Sequence, residues 1–222
     1  ATEGRLARLA RGHLERQLRA EIQDVTGVVA IVDERGRLVV EALLHDARQL
    51  QAGLAQGNPL GDASIDPLVT VAVEVVGAII EARDAGMRLR LQLLITPGTA
   101  AGPGFPSRRE FAHGFLLDAP TIDWFFANYI APAARSDWRF APLEVEDLEG
   151  VAPACFVLAE CDPLVDEGVA YADRLRMAGV PVELDIHRGM THDFIKMGRA
   201  LREASTAQAI AAGALQRAFE TP

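Results

Sequence analysis

The stretch from Pro153 to Phe194, PACFVLAECDPLVDEGVAYADRLRMAGVPVELDIHRGMTHDF, decides the fold. Ala154 to Ala159 is an apolar run of strand length, ended by the polar turn Glu160-Cys161-Asp162-Pro163. From Leu164 the periodicity changes. Leu164, Gly168, Tyr171, Leu175 and Ala178 follow at spacings of 4, 3, 4 and 3, one stripe of a helix, and Gly179 supplies a stop. Val180 to Ile186 then alternates, with Val182, Leu184 and Ile186 set against Glu183, Asp185 and His187, which suits a strand with one wetter face. Strand–helix–strand units are parallel and right-handed in nearly every fold, so both strands end at the same edge of the sheet. Asp162 follows the first strand and His192 the second. Neighbouring strands lie about 4.8 Å apart, so two loop residues at that edge come within hydrogen-bonding reach. A carboxylate that fixes an imidazole is the back half of a nucleophile–base–orienter set. On spacing alone a second reading stays open, in which Asp162 caps the helix and His192 is a loop histidine.

Upstream, helix and strand patterns alternate. Leu6, Leu9, Leu14, Leu18 and Ile22 share one face of an amphipathic helix over 5–24, with arginines solvating the other face and Gly27 ending it. Val28 to Val32 is apolar throughout, as buried strands of a parallel sheet are. Leu43, Ala47, Leu50 and Leu54 mark a second helix, closed by Gly57-Asn58-Pro59. The β-branched run Val69 to Val76 predicts a central strand. Gly77 to Ala85 predicts a short helix, and Leu89 to Thr96 another strand, stopped by Pro97-Gly98. The Gly/Pro-rich loop Thr99 to Pro106 leads into an aromatic-dense segment, a helical excursion at about 105–135. Leu143 to Gly150 is an acidic connector, and an Ala-rich helix from about Leu201 to Phe219 closes the chain. The alternation predicts a single α/β domain over 1–222, a mostly parallel sheet with helices on both faces.

Composition agrees with an ordinary globular domain. Half of the 222 residues are hydrophobic. A formal charge of −9 argues against a nucleic-acid surface, and no basic run with interleaved aromatics occurs. No apolar stretch reaches the length of a membrane helix, and nothing at the N-terminus has the layout of a signal peptide. Cys155 and Cys161 fall at the two ends of one predicted strand, too far apart to pair, which fits reduced thiols in a cytoplasmic protein. Zinc-type Cys/His spacing and Gly-rich phosphate loops are absent, so neither metal nor cofactor is expected.

The phrases Asp162-Pro163-Leu164, Asp166-Glu167-Gly168, Tyr171-Ala172, Ala178-Gly179-Val180-Pro181-Val182 and Gly189-Met190-Thr191-His192-Asp193-Phe194 resemble the hormone-sensitive-lipase-like branch of the α/β-hydrolases, the acetyl esterases and carboxylesterases. In that family the Asp before Pro-Leu and the His of the Gly-Met-x-His-x-Phe loop are two of three catalytic residues. The resemblance therefore implies an orienting role for Asp162 and a general-base role for His192. The order Asp then His, after an earlier Ser, fits the hydrolase chain order. The likeness runs from about Arg88 to Phe219 and continues upstream in Asp33-Glu34-Arg35, Leu44-His45-Asp46-Ala47, Ile65-Asp66-Pro67 and Ala82-Arg83-Asp84-Ala85-Gly86. The excursion resembles the family segment that borders the acyl pocket, which implies Phe115 and Phe125 as pocket residues. The competing reading makes its aromatics core.

Two family motifs are missing. Where the His-Gly-Gly-Gly oxyanion loop belongs, the chain reads Ala1-Thr2-Glu3-Gly4, without the first strands that precede that loop. Where the family has Gly-Asp-Ser-Ala-Gly-Gly, the chain reads Val73-Glu74-Val75-Val76-Gly77-Ala78. Val75 thus occupies the expected nucleophile position, and a valine side chain cannot attack a carbonyl. Gly61-Asp62-Ala63-Ser64 resembles the elbow with two letters exchanged and makes Ser64 the candidate nucleophile. Asp62 and Asp66 stand where glycines are needed, and a turn serine is the alternative. The implied activity is hydrolysis of a small carboxylic ester by a Ser-His-Asp acyl-enzyme route. The alternative is an inactive or truncated family member that keeps a small-ligand pocket. A homodimer is a further expectation, because a sheet lacking its first strands exposes an edge.

Overall fold

The computed structural model describes residues 29–33, 76–77 and 79–220. The helices expected over 5–24 and around Leu43 to Leu54, the Ala1–Gly4 segment, Ser64 and Val75 lie outside these residues.

Among the described residues four strands form one sheet in the order β1-β2-β3-β4. They are β1 (Val29–Asp33), β2 (Leu89–Ile95), β3 (Ala154–Cys161) and β4 (Val182–Thr191). Helical residues 76–77 and 79–84 make α1. The later helices are α2 (Ser107–Glu110), α3 (Ala119–Tyr129), α4 (Val165–Met177) and α5 (Arg202–Glu220). β2, β3 and β4 run parallel, with Leu94 opposite Phe156 and Phe156 opposite Leu184.

Strand β3 is apolar on both sides because both sides are covered. Ala154, Phe156 and Leu158 pack with Val76, Ile79 and Ile80 of α1 and Tyr171, Ala172 and Leu175 of α4. Cys155, Val157 and Ala159 point the other way, onto Ala204, Ala207, Ala211 and Ala214 of α5 and onto Phe194. The alanine stripe of α5 recurs at 3 and 4 residues and lets that helix lie close to the sheet. Each large apolar side chain in these layers is worth about 1.5–3 kcal/mol relative to exposure. The two covered faces are what the alternation of patterns predicts.

Gly77 marks a close approach. A Cβ added there would lie 2.4 Å from the carbonyl oxygen of Arg139. Gly77→Ala is therefore expected to destabilise the protein by about 1–3 kcal/mol through overpacking. The midpoint of urea unfolding checks this. An unchanged midpoint would mean that α1 does not rest on the segment around Arg139.

Three expectations are corrected. The strand at Val28 to Val32, read as parallel, pairs antiparallel with β2, Val29 opposite Leu94 and Asp33 opposite Leu89. An apolar run reports that a strand avoids water, not which way it runs; the long connection to Leu89 permits either direction. Val76, read as the end of a central strand, is helical. Val76, Ile79 and Ile80 fall at i, i+3 and i+4 and are fully buried, so packing overrides the β preference of a branched side chain. β3 and β4 also run further than expected, to Cys161 and Thr191 rather than Ala159 and Ile186. Opposite the two steps from Ala159 to Cys161, β4 takes four, from His187 to Thr191. Gly189 turns that bulge with φ 69°, and its N–H donates to Glu160 Oε2 at 2.7 Å.

Candidate active site

The parallel pairing of β3 and β4 sends both strand ends to one rim. Asp162 leaves β3 there, 1% exposed. Its Oδ1 accepts the N–H of Leu164 at 2.8 Å, the local bond by which an Asp closes a turn onto the residue two further on. The Asp162 carbonyl accepts the N–H of Val165 at 3.1 Å, and α4 begins. His192 leaves β4 on the neighbouring strand. Phe194 and Ile195, both buried in the α5 layer, anchor the loop behind it. The Gln208 side chain donates to the carbonyl of Ile195 at 2.8 Å and ties that anchor to α5.

His192 Nδ1 and Asp162 Oδ2 are 2.7 Å apart, both residues buried. That distance is in the charge-assisted range. A carboxylate only accepts, so Nδ1 carries the proton and Nε2 presents its lone pair. Burial pushes the imidazole pKa down, but the Asp162 charge and its hydrogen bond, with a smaller contribution from Asp193, together outweigh it and hold His192 above the ordinary histidine value. An imidazole fixed in this tautomer, with a buried anion behind it, can take a proton at Nε2 and return it.

A second buried cluster braces the turn. Glu167 is fully buried on α4. Its Oε1 accepts the N–H groups of Thr99 at 2.7 Å and Ala100 at 3.1 Å. Its Oε2 accepts Arg108 Nη2 at 2.7 Å and Nε at 3.0 Å. Beside it, the Ser107 N–H donates to Asp166 Oδ2 at 2.8 Å and the Ser107 hydroxyl to the carbonyl of Pro163 at 2.8 Å. The loop after β2 and the start of the excursion are thus clamped to the turn that carries Asp162. Burial pushes Glu167 up, against the downward pull of Arg108 and the backbone donors. The sequence held half of this. Glu167 lies three residues after Leu164 and four before Tyr171, on the buried stripe, where a charged residue needs a partner. Nothing in the sequence pointed to Arg108 as that partner.

Of the remaining candidates, Phe115 and Phe125 are half-buried in the excursion. Their ring partners are Phe111, centroids 5.0 Å apart, and Trp124, at 5.3 Å. Ser64 lies outside the described residues, as does Val75. Among the described residues no three His, Cys, Asp or Glu side chains gather as a metal site. A cleft of about 400 Å³, lined by Ile79, Arg83, Met87, Arg88, Leu89 and Ala152, opens at the amino ends of β2 and β3, the rim opposite the dyad. No helix among the described residues is long and apolar enough to cross a membrane.

Residues 72–196 match a family model described as the alpha/beta hydrolase fold. An ethyl acetate hydrolase of Pseudomonas putida is 39% identical over 178 residues, which cover 80% of this chain and 52% of that protein. A carboxylesterase of Mycobacterium tuberculosis is 38% identical over 143 residues, 62% of this chain and 45% of that one. The chain spans about half the length of the curated relatives it matches. Among solved structures, a thermostable esterase from Pseudomonas putida superposes with a TM-score of 0.62 at 32% identity, covering 70% of this chain and 49% of that one. An esterase from Pyrobaculum calidifontis also reaches 0.62, at 28% identity, covering 79% and 61%.

Proposed function

This chain belongs to the hormone-sensitive-lipase-like branch of the α/β-hydrolases, and from that premise we propose that Asp162 and His192 are the orienting acid and general base of a carboxylic-ester hydrolase site. The observation that carries the reading is the 2.7 Å bond from Nδ1 to a fully partnered, buried carboxylate. It leaves Nε2 as the one basic atom of the ring. In the reaction, a hydroxyl nucleophile attacks the ester carbonyl while its proton passes to Nε2. The tetrahedral adduct collapses, the alcohol leaves with that proton, and water repeats the cycle on the acyl-enzyme. General-base assistance of this kind contributes about 10²–10⁴-fold. Ser64 is the proposed nucleophile, and Phe115 and Phe125 the proposed walls of the acyl pocket. The substrate is a small ester and the reaction needs no cofactor.

A fluorophosphonate probe tests this. It is expected to label one serine of the chain, and His192→Ala should abolish labelling. One observation favours a second reading, an inactive family member that keeps a small-ligand pocket. By the resemblance to the family's nucleophile elbow, Val75 stands where the reactive serine is expected. Absence of labelling, with a small ester analogue still raising the melting temperature, would select it.

A cytoplasmic setting is part of the same proposal. Cys155 and Cys161 are both free, and burial pushes the Cys155 thiol up to about 11, where it stays protonated and inert. A homodimer is supported by the open edges of the described sheet, of which β4 is one, with Ile186 40% exposed. Sedimentation velocity showing only monomer would remove it.

A further inference from the structure

His192 is followed by a residue with an unusual backbone. Asp193 has φ 62°, in the left-handed region that Asp and Asn enter more readily than other L-residues. With that backbone its carboxylate lies beside the ring. Oδ1 is 3.8 Å from His192 Nε2, buried and without a hydrogen-bond partner. Oδ2 is held by Lys196 Nζ at 3.1 Å. Asp162 therefore occupies the Nδ1 side of the imidazole, and Asp193 stands on the Nε2 side. A separation of 3.8 Å is too long for a hydrogen bond, so the lone pair of Nε2 stays available to a substrate-side proton.

We propose that Asp193 is a positioning residue of this site, a second carboxylate that stabilises the imidazolium formed when Nε2 accepts a proton. This rests on the base role proposed for His192. The only transfer involved is the proton from the nucleophile to Nε2; Asp193 keeps its charge and all its bonds throughout. Two consequences follow from charge alone. The base is stronger than Asp162 by itself would make it, and the imidazolium is a weaker acid when it returns the proton to the leaving alcohol. A fixed negative charge beside Nε2 also disfavours esters that carry an anionic group next to the scissile bond.

The charged groups around the ring are Asp162 from the turn after β3, and Asp193 and Lys196 from its own loop. Asp162 and Asp193 both favour the charged ring and Lys196 opposes it. The Asp193 side chain is 31% exposed and paired with Lys196, so solvent and that cation weaken its effect relative to Asp162.

The test is an NMR titration of the His192 imidazole in the full 222-residue chain, which needs no turnover. Asp193→Asn keeps the size and the tolerance of a left-handed backbone while removing the charge. It is expected to lower the His192 midpoint by about one pH unit. Asp193→Gly, which also relieves the backbone, should lower it by the same amount, and Lys196→Met should raise it. Midpoints unmoved in both Asp193 variants overturn the proposal. A shift in the Gly variant alone also overturns it, since that would assign the effect to backbone strain rather than charge. Where ester turnover is measurable, the acid limb of kcat/KM should move by the same amount. A shifted midpoint in a chain without turnover would keep the electrostatic coupling of Asp193 to the His192 ring and remove the hydrolase reading instead.

Discussion

Asp162→Asn is expected to lower the turnover number for a short-chain ester by about 10⁴-fold, the size seen when a triad Asp is neutralised in a serine protease. The structure says why an isosteric change should cost so much. Asp162 Oδ1 accepts the backbone N–H of Leu164, and that donor cannot rotate away. In the variant the amide oxygen must face Leu164, which turns the amide NH₂ toward His192 Nδ1. A ring facing a donor at Nδ1 must accept there, so its proton moves to Nε2. The atom that should act as base is then already protonated. The same step removes the charge that holds the imidazole pKa above its ordinary value. Turnover on a chromogenic acetate checks the rate, and the imidazole nitrogen shifts check the tautomer. A variant that keeps Nε2 unprotonated and loses less than about tenfold would contradict both the dyad and its assigned roles.

The second large effect concerns stability. Arg108→Leu is expected to destabilise the protein by about 3–5 kcal/mol at pH 7, because it leaves the Glu167 carboxylate buried without its counter-ion. Against a total of about 5–15 kcal/mol for a domain, that is a large share. The pH dependence follows from the direction of the shift. Burial already pushes Glu167 up, and without Arg108 less opposes it. The folded variant therefore binds a proton that the unfolded chain, with a carboxyl near 4.3, has already released. Stability then falls as pH rises from that value through the raised folded pKa, so the penalty should shrink on acidification. Urea unfolding at pH 7 and pH 5 reads both. Combining Arg108→Leu with Glu167→Leu should recover only part of the loss, because the N–H groups of Thr99 and Ala100 lose their acceptor. A single variant that costs less than about 1 kcal/mol, equally at both pH values, would mean that the clamp is not held by charge.

Much of the site could be read from the chain because it is built from short-range patterns. The stripe Leu164, Gly168, Tyr171, Leu175 and Ala178 announced α4, and Gly168, Tyr171 and Leu175 are buried in it. The turn at Asp162 and the loop at His192 follow successive strands of one crossover, and crossover handedness places them on one rim. Their 2.7 Å approach needed no knowledge of any distant segment. Glu167 was half legible, as a charge on a buried stripe. Its partner was not, because Arg108 lies 59 residues earlier in an excursion whose own sequence carries no trace of that meeting. Asp193 was legible only as a letter in a motif; its left-handed backbone and the approach of Oδ1 to Nε2 appear only in three dimensions.

By itself the sequence determined which segments avoid water, with what period, and therefore that helices and strands alternate over a covered sheet. Periodicity is a local property, written into the spacing of apolar side chains along a few turns or pleats. Only the tertiary structure decided that β1 runs against β2, that Val76 belongs to a helix, and that Arg108 closes on Glu167. Those outcomes depend on how distant segments share space, and a buried residue satisfies the hydrophobic effect equally well in either strand direction, because that force has no orientation of its own.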